Sequence, residues 1–164
     1  MAVQCSAWEG RCGPDGSVWF RALGELESLA SLCNLPKVCN HTCYPGFTGH
    51  YGIAAEEIGH PLIQNSQRVT NPLQLRNSIQ IISGSNMSGK TTYLRTVGIN
   101  VVLARAGGAV CAGKMTLSDL HVATSMRVAD DLNEGISSFY AELRRIKGIL
   151  TAAESDKDTL FLID

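Results

Sequence analysis

Apolar positions fall along this chain in two rhythms, one of helices and one of strands. Trp19, Leu23, Leu26, Ala30 and Cys33 lie four, three, four and three residues apart. On a helix of about 3.6 residues per turn these side chains share a face. The spacing predicts an amphipathic helix over roughly residues 18–33, ended by Pro36. Residues 90–106 carry Tyr93, Leu94, Val97, Ile99, Val101, Val102 and Leu103, the pattern of a helix buried on most sides. Gly107-Gly108 stops it. Phe139, Leu143, Ile146 and Leu150 mark a further amphipathic helix, with Glu142, Arg144, Arg145 and Lys147 on its wet side.

Between these stretches the period shortens. Ile79-Gln80-Ile81-Ile82-Ser83 is a compact β-branched run and predicts a buried strand. Thr159-Leu160-Phe161-Leu162-Ile163-Asp164 is an apolar strand ending on an acid. Weaker strand patterns cover residues 51–58, broken by Gly59-His60-Pro61, and residues 120–128. Residues 34–50 read as a loop with a Pro45-Gly46 turn, and a second loop carries Pro72. Residues 1–18, rich in Gly, Ser and Cys and without period, read as an irregular leader. Strands alternating with helices point to an α/β domain with a mostly parallel sheet. The chain divides into a leader, helix and loop over residues 1–50 and the main domain over residues 51–164.

Composition changes this picture little. At 164 residues, 45% hydrophobic and net charge −1, the chain suits a single core. So even a balance argues against a dedicated nucleic-acid surface within it. No apolar run approaches the roughly 18–20 residues that span a bilayer. The N-terminus lacks a cationic segment followed by an apolar one, so a cytoplasmic setting is expected. There the six cysteines are reduced thiols. Cys39-Asn40-His41-Thr42-Cys43 brings zinc-ligand types together, but C-x-H-x-C fits no standard finger and no second ligand pair follows. Loop or core cysteines are expected, and no zinc.

The chemistry concentrates at Gly84-Ser85-Asn86-Met87-Ser88-Gly89-Lys90-Thr91, which fits the P-loop pattern G-x-x-x-x-G-K-[ST] at every fixed position. Glycines let the backbone curl so that successive N–H groups face a polyphosphate, and the helix that follows adds its positive end. Lys90 is expected on the β- and γ-phosphates of ATP, Thr91 on Mg2+, and Thr92 beside them. The predicted strand before and helix after the loop are the context this motif requires. Asp164, closing an apolar strand, fits the Walker B carboxylate that holds Mg2+; a solvated acid at a strand end is the plainer alternative.

The variable positions of the loop carry a resemblance. The run S-G-S-N-M-S-G-K-T-T-Y-L-R over residues 83–95 resembles the P-loop of the MutS mismatch-repair ATPase family. Asn86 and Met87 discriminate it from generic P-loop kinases. Residues 126–143, M-R-V-A-D-D-L-N-E-G-I-S-S-F-Y-A-E-L, are similar to the family's Asp-Asp-Leu…Gly-x-Ser-Thr-Phe segment, with Ser138 where Thr is usual. By that resemblance Ser137 is the serine that approaches the γ-phosphate held by an opposite subunit; an ordinary N-cap serine is the alternative. Gly59-His60-Pro61-Leu62 resembles the entry to the family's nucleotide domain, and Asn71 the stretch passing the adenine. Where the family tends to place an aromatic against the base, this chain has Arg68 or Val69. Arg68 could stack on the base or be a surface arginine. Residues 22–32 resemble the end of the long helix that leads into the ATPase.

The resemblance implies a P-loop NTPase domain of the ABC type, incomplete at its C-terminus and preceded by an amphipathic helix. It implies an ATP- and Mg2+-binding fragment of a DNA-binding mismatch-repair ATPase. Its partners are a homodimer mate through the ATPase domain and double-stranded DNA through the parent protein. A catalytic acid normally follows the Walker B Asp, so the fragment is expected to bind ATP and lack turnover alone. Two other classes stay open: a P-loop kinase or phosphotransferase, and a non-catalytic interaction remnant.

Overall fold

The structure, a computed structural model, describes residues 2–76, 78–126, 140, 143–144, 146–151, 153 and 158–164, with the backbone alone for residues 2–9, 11, 12 and 14. The chain divides into two units, Met1–Asn34 and Leu35–Asp164. The first is one helix, α1 (Ala2–Leu32). The predicted helix is therefore present, but it begins far earlier, and residues 2–17 are helical where an irregular leader was expected. Once a helix is nucleated, each added residue gains a hydrogen bond, so the strong pattern after Val18 carries weak neighbours with it. Trp19, Leu23 and Leu26 are exposed within this unit.

The second unit holds α2 (Leu35–Val38), β1 (Gly46–Phe47), β2 (Ile53–Ile58), β3 (Asn71–Leu75), α3 (Lys90–Arg105), β4 (Lys114–Leu117), β5 (His121–Ser125) and β6 (Thr159–Ile163). It is a mixed α/β unit with two sheets. The larger has the order β1-β4-β2-β3, and β5 and β6 form the smaller. The expectation of a mostly parallel sheet needs correcting. In the larger sheet β2 runs antiparallel to both β3 and β4, and only β1 and β4 are parallel. Residues 59–70, between β2 and β3, contain no helix. Such a direct return gives antiparallel neighbours, whereas a parallel pair needs a crossover. β5 and β6, joined by a long connection, are parallel in register from His121↔Thr159 to Ser125↔Ile163.

The Pro72 stretch, read as loop, is β3. It lies at the edge of the sheet, where a missing N–H costs no ladder bond. The reverse correction concerns residues 79–83. They were expected as a buried strand but form no strand, and Ile79 and Ile81 are 91% and 88% exposed. A β-branched run becomes a strand only where its backbone groups find ladder partners, and none of the described strands lies alongside.

The core gathers Ile53, Ile58, Leu73, Met115, Leu117, Val97, Val101, Ala104, Leu160 and Leu162. α3 buries Thr96, Val97, Asn100, Val101 and Ala104, a single broad face, while Val102 is half exposed. The helix is thus covered on one side, not all round. Burial of each large aliphatic side chain there contributes roughly 1.5–3 kcal/mol. Gly98 lies against β6: a Cβ there would meet Leu162 Cδ1 at 2.9 Å. α3 ends as its sequence predicts, with Gly107 at φ 78 and Gly108 N–H donating to Leu103 O. No helix among the described residues is long and apolar enough to cross a membrane.

Candidate functional site

The loop over residues 84–89 leads directly into α3 and is exposed throughout. Gly89 forms the N-cap at φ 90, a left-handed conformation that favours glycine, and no side chain caps the helix. The first N–H groups of any helix lack intrahelical partners, so this end faces the loop with positive potential. Ser88 crowds Gly84, where a Cβ would meet Ser88 Oγ at 2.8 Å. Ser88 N–H donates to Ser85 O at 3.2 Å, which curls the loop. Met87 sits at its tip, fully exposed with φ 65. A methionine in the left-handed region is a strained residue, of the kind that clusters at functional loops.

Lys90 folds back over this loop. Its Nζ donates to Gly84 O at 2.9 Å and to Ser85 O at 2.7 Å. These carbonyls hold the ammonium over the loop's concave side. The next residue, Thr91, donates its Oγ1–H to Asp164 Oδ2 at 2.6 Å. Asp164 is fixed by the sheet, since its N–H donates to Ser125 O at 3.0 Å, continuing the β5–β6 register. Two oxygen ligands of the type hard divalent cations prefer therefore meet at the mouth of the loop. Among the described residues no group of three or more His, Cys, Asp or Glu gathers to hold a metal. Cys39 faces Cys111 instead, and His41 stands 4.0 Å from Glu57.

A cavity of about 740 Å3 runs from this loop to the segment between β2 and β3. At one end lie Gly84, Ser88, Gly89, Lys90 and Thr92, and at the other His60, Ile63, Gln67, Val69, Asn71 and Pro72. Tyr93 and Thr96 of α3 form part of its lining, and Tyr93 Oη donates to Pro72 O at 3.3 Å. The size suits a small-molecule ligand.

The far wall is built around Arg68. Its guanidinium donates to His60 O, Pro61 O and Ile63 O and to Asn65 Oδ1, at 2.6–3.4 Å. It thus fastens the wall from within, while its neighbour Val69 lines the cavity, 76% exposed. His60 Nδ1 accepts from Leu62 N–H at 3.2 Å, which leaves a ring proton on Nε2. Burial, followed by the Arg95 and Arg68 charges, holds the His60 imidazole below its ordinary range. Burial raises the Tyr93 phenol.

The structure thus brings together the loop, Lys90, Thr91 and Asp164, which sequence reading had singled out. Ser137 lies outside the described residues. Sequence reading missed Gln67, Tyr93 and Asn100. Only Asn100 left a trace, as a polar position amid the apolar run of α3.

A glycine loop feeding a helix N-terminus, with a hydroxyl–carboxylate pair at its mouth, defines a class of α/β domains suited to an anion with a divalent cation. A family model of MutS domain V matches residues 80–164, more than half of the chain. The chain belongs to the MutS family.

Proposed function

We propose that this chain is the ATP-binding part of a MutS-like DNA-binding ATPase, built on a P-loop NTPase fold of the ABC type. The observation that carries the reading is the 2.6 Å contact between Thr91 Oγ1 and Asp164 Oδ2 at the mouth of the loop. These oxygens would hold Mg2+. Residues 84–89 would cradle the phosphates through backbone N–H groups, with Thr92 beside them. Lys90 would exchange its two carbonyl partners for phosphate oxygens, and the wall with Val69 would receive the base. In the parent dimer Ser137 would reach the γ-phosphate bound by its mate, and ATP binding and hydrolysis would alter the grip on double-stranded DNA.

The test is ligand-dependent thermal stabilisation. Millimolar Mg-ATP should raise the melting temperature of the wild-type chain, and Lys90→Ala should abolish the rise. No stabilisation of the wild type would refute the reading.

One feature favours a second reading, a non-catalytic interaction module. An apolar cavity of about 400 Å3 is lined by Ile79, Gln80, Ile82 and β6, and Ile79 and Ile81 of this segment are exposed. Self-association that is insensitive to nucleotide, with no thermal response to Mg-ATP, would support that reading.

A further inference from the structure

α3 touches both ends of the large cavity. Its N-terminus meets the glycine loop, and its middle reaches the opposite wall through Asn100. This side chain is fully buried, in a helix face otherwise made chiefly of apolar residues. Asn100 Nδ2 donates to Gly59 O at 3.0 Å and to Thr96 O at 2.8 Å. Its Oδ1 accepts from Cys111 N–H at 2.7 Å. Gly59 N–H in turn donates to Cys111 O at 2.8 Å. One amide therefore ties α3 to two backbone segments at the point where β2 passes into the wall.

From Gly59 the connection is short and stiff. His60 follows directly, and its carbonyl accepts from Arg68 Nε at 3.0 Å. Arg68 packs on Gly59 so closely that a Cβ there would meet its Cδ at 2.5 Å. Gly59 thus borders both His60 and the Arg68 side chain that bonds the His60 carbonyl, so a shift of Gly59 is felt by both. Leaving Gly59 O or Cys111 N–H unpaired in this buried place is costly enough to select another wall position.

We propose that Asn100 is a positioning residue for nucleotide selectivity. It holds the base-side wall at a fixed distance from the phosphate loop, and so governs affinity for the nucleoside more than for the phosphates. The inference rests on the ATP reading above. Pre-organised walls of this kind act through distance, and small displacements are felt strongly by the ligand they orient.

The experiment compares dissociation constants for Mg-ATP and Mg-tripolyphosphate, which shares the phosphates and lacks the nucleoside. It uses the full chain as wild type, Asn100→Leu and Asn100→Asp. The leucine removes all three bonds, while the aspartate keeps the acceptor for Cys111 N–H and loses the donor to Gly59 O. In both variants the preference for ATP over tripolyphosphate should shrink about tenfold, with tripolyphosphate affinity within about twofold of wild type. Parallel weakening of both ligands, as a general loss of structure gives, would overturn the inference, and so would an unchanged preference. Gly59→Ala displaces the same wall from its other side and covers the case in which the Asn100 variants do not fold. It should lower the preference too, and an unaltered preference there overturns the inference. A wild type that binds both ligands equally overturns it alone, whereas one that binds neither overturns the ATP reading with it.

Discussion

The Thr91 hydroxyl donates to a carboxylate oxygen of Asp164 at 2.6 Å, across a sequence separation of 73 residues. Two elements produce this meeting. Thr91 lies in the first turn of α3, and Asp164 directly follows β6, with its backbone on Ser125. α3 packs on β6 through Gly98 and Leu162, so the helix and the strand end reach the same place.

That pair gives a prediction separable from phosphate binding. If the pair holds Mg2+ as proposed, Thr91→Ala removes its hydroxyl ligand and Asp164→Asn its charged one. ATP affinity measured with Mg2+ should fall by roughly tenfold or more, corresponding to a loss of about 1.4 kcal/mol or above. Affinity measured in EDTA should be unchanged or slightly better for Asp164→Asn, because a negative charge near the phosphates is gone. Equal losses with and without Mg2+ would rule out a cation role for the pair. Isothermal titration under the two conditions decides it.

His60 makes stability depend on pH. Its imidazole is held below the ordinary value of 6.5, first by burial and then by Arg95 and Arg68. The fold therefore prefers the neutral ring. Well above 6.5 the ring is neutral folded and unfolded alike, and its contribution is complete. As pH falls through that value the unfolded chain takes up the proton first, so stability declines until the folded-state value has been passed. Urea midpoints between pH 7.5 and 5, a range of about one and a half units on the acid side of the imidazole, should fall more steeply for wild type than for His60→Gln. Superimposable curves would remove His60 as the source.

The same reasoning sorts the thiols. Cys111 is pushed up to about 12, by burial first and then by the Cys39 thiol, 2.8 Å away. A thiol so far from ionising is a poor nucleophile. Maleimide at pH 8, an ordinary labelling condition about half a unit below a free thiol's own value, should modify exposed Cys33 in the native chain and spare Cys39 and Cys111 until denaturant is added. Peptide mapping of native and unfolded samples reads this directly, and rapid native labelling of Cys111 would contradict the burial described.

What was legible in the sequence was local. Residues 84–91 match the proposed phosphate-loop pattern at every fixed position, each with a steric or charge reason of its own. β6 follows from an unbroken apolar run and α3 from a largely apolar one, and Gly107 marks a helix end through its backbone freedom. What was not legible depends on partners distant in the chain. Pro72 reads as a breaker until its strand is known to lie at an edge. Arg68 offers a stacking surface on paper, and no spacing rule foretells that its donors fasten carbonyls of its own turn. Asn100 gains its meaning only from Gly59 and Cys111, which no spacing rule connects to it.

Residues 79–83 give the sharpest contrast between pattern and place, and the contrast can be measured. As a buried central strand, Ile79 and Ile81 would tolerate no charge, and lysine at either position would cost several kcal/mol, more than about 4. In the structure both side chains are almost fully exposed. Ile79→Lys and Ile81→Lys should therefore each leave the urea midpoint close to wild type, within about 0.5 kcal/mol of stability. Both should also reduce self-association in light scattering, because each breaks an exposed apolar run, of which Ile79 lines the cavity along β6. A large loss of stability in either variant would mean that this segment is paired and buried in solution. The flat response expected here follows because β-branched residues favour a strand only where a sheet receives them.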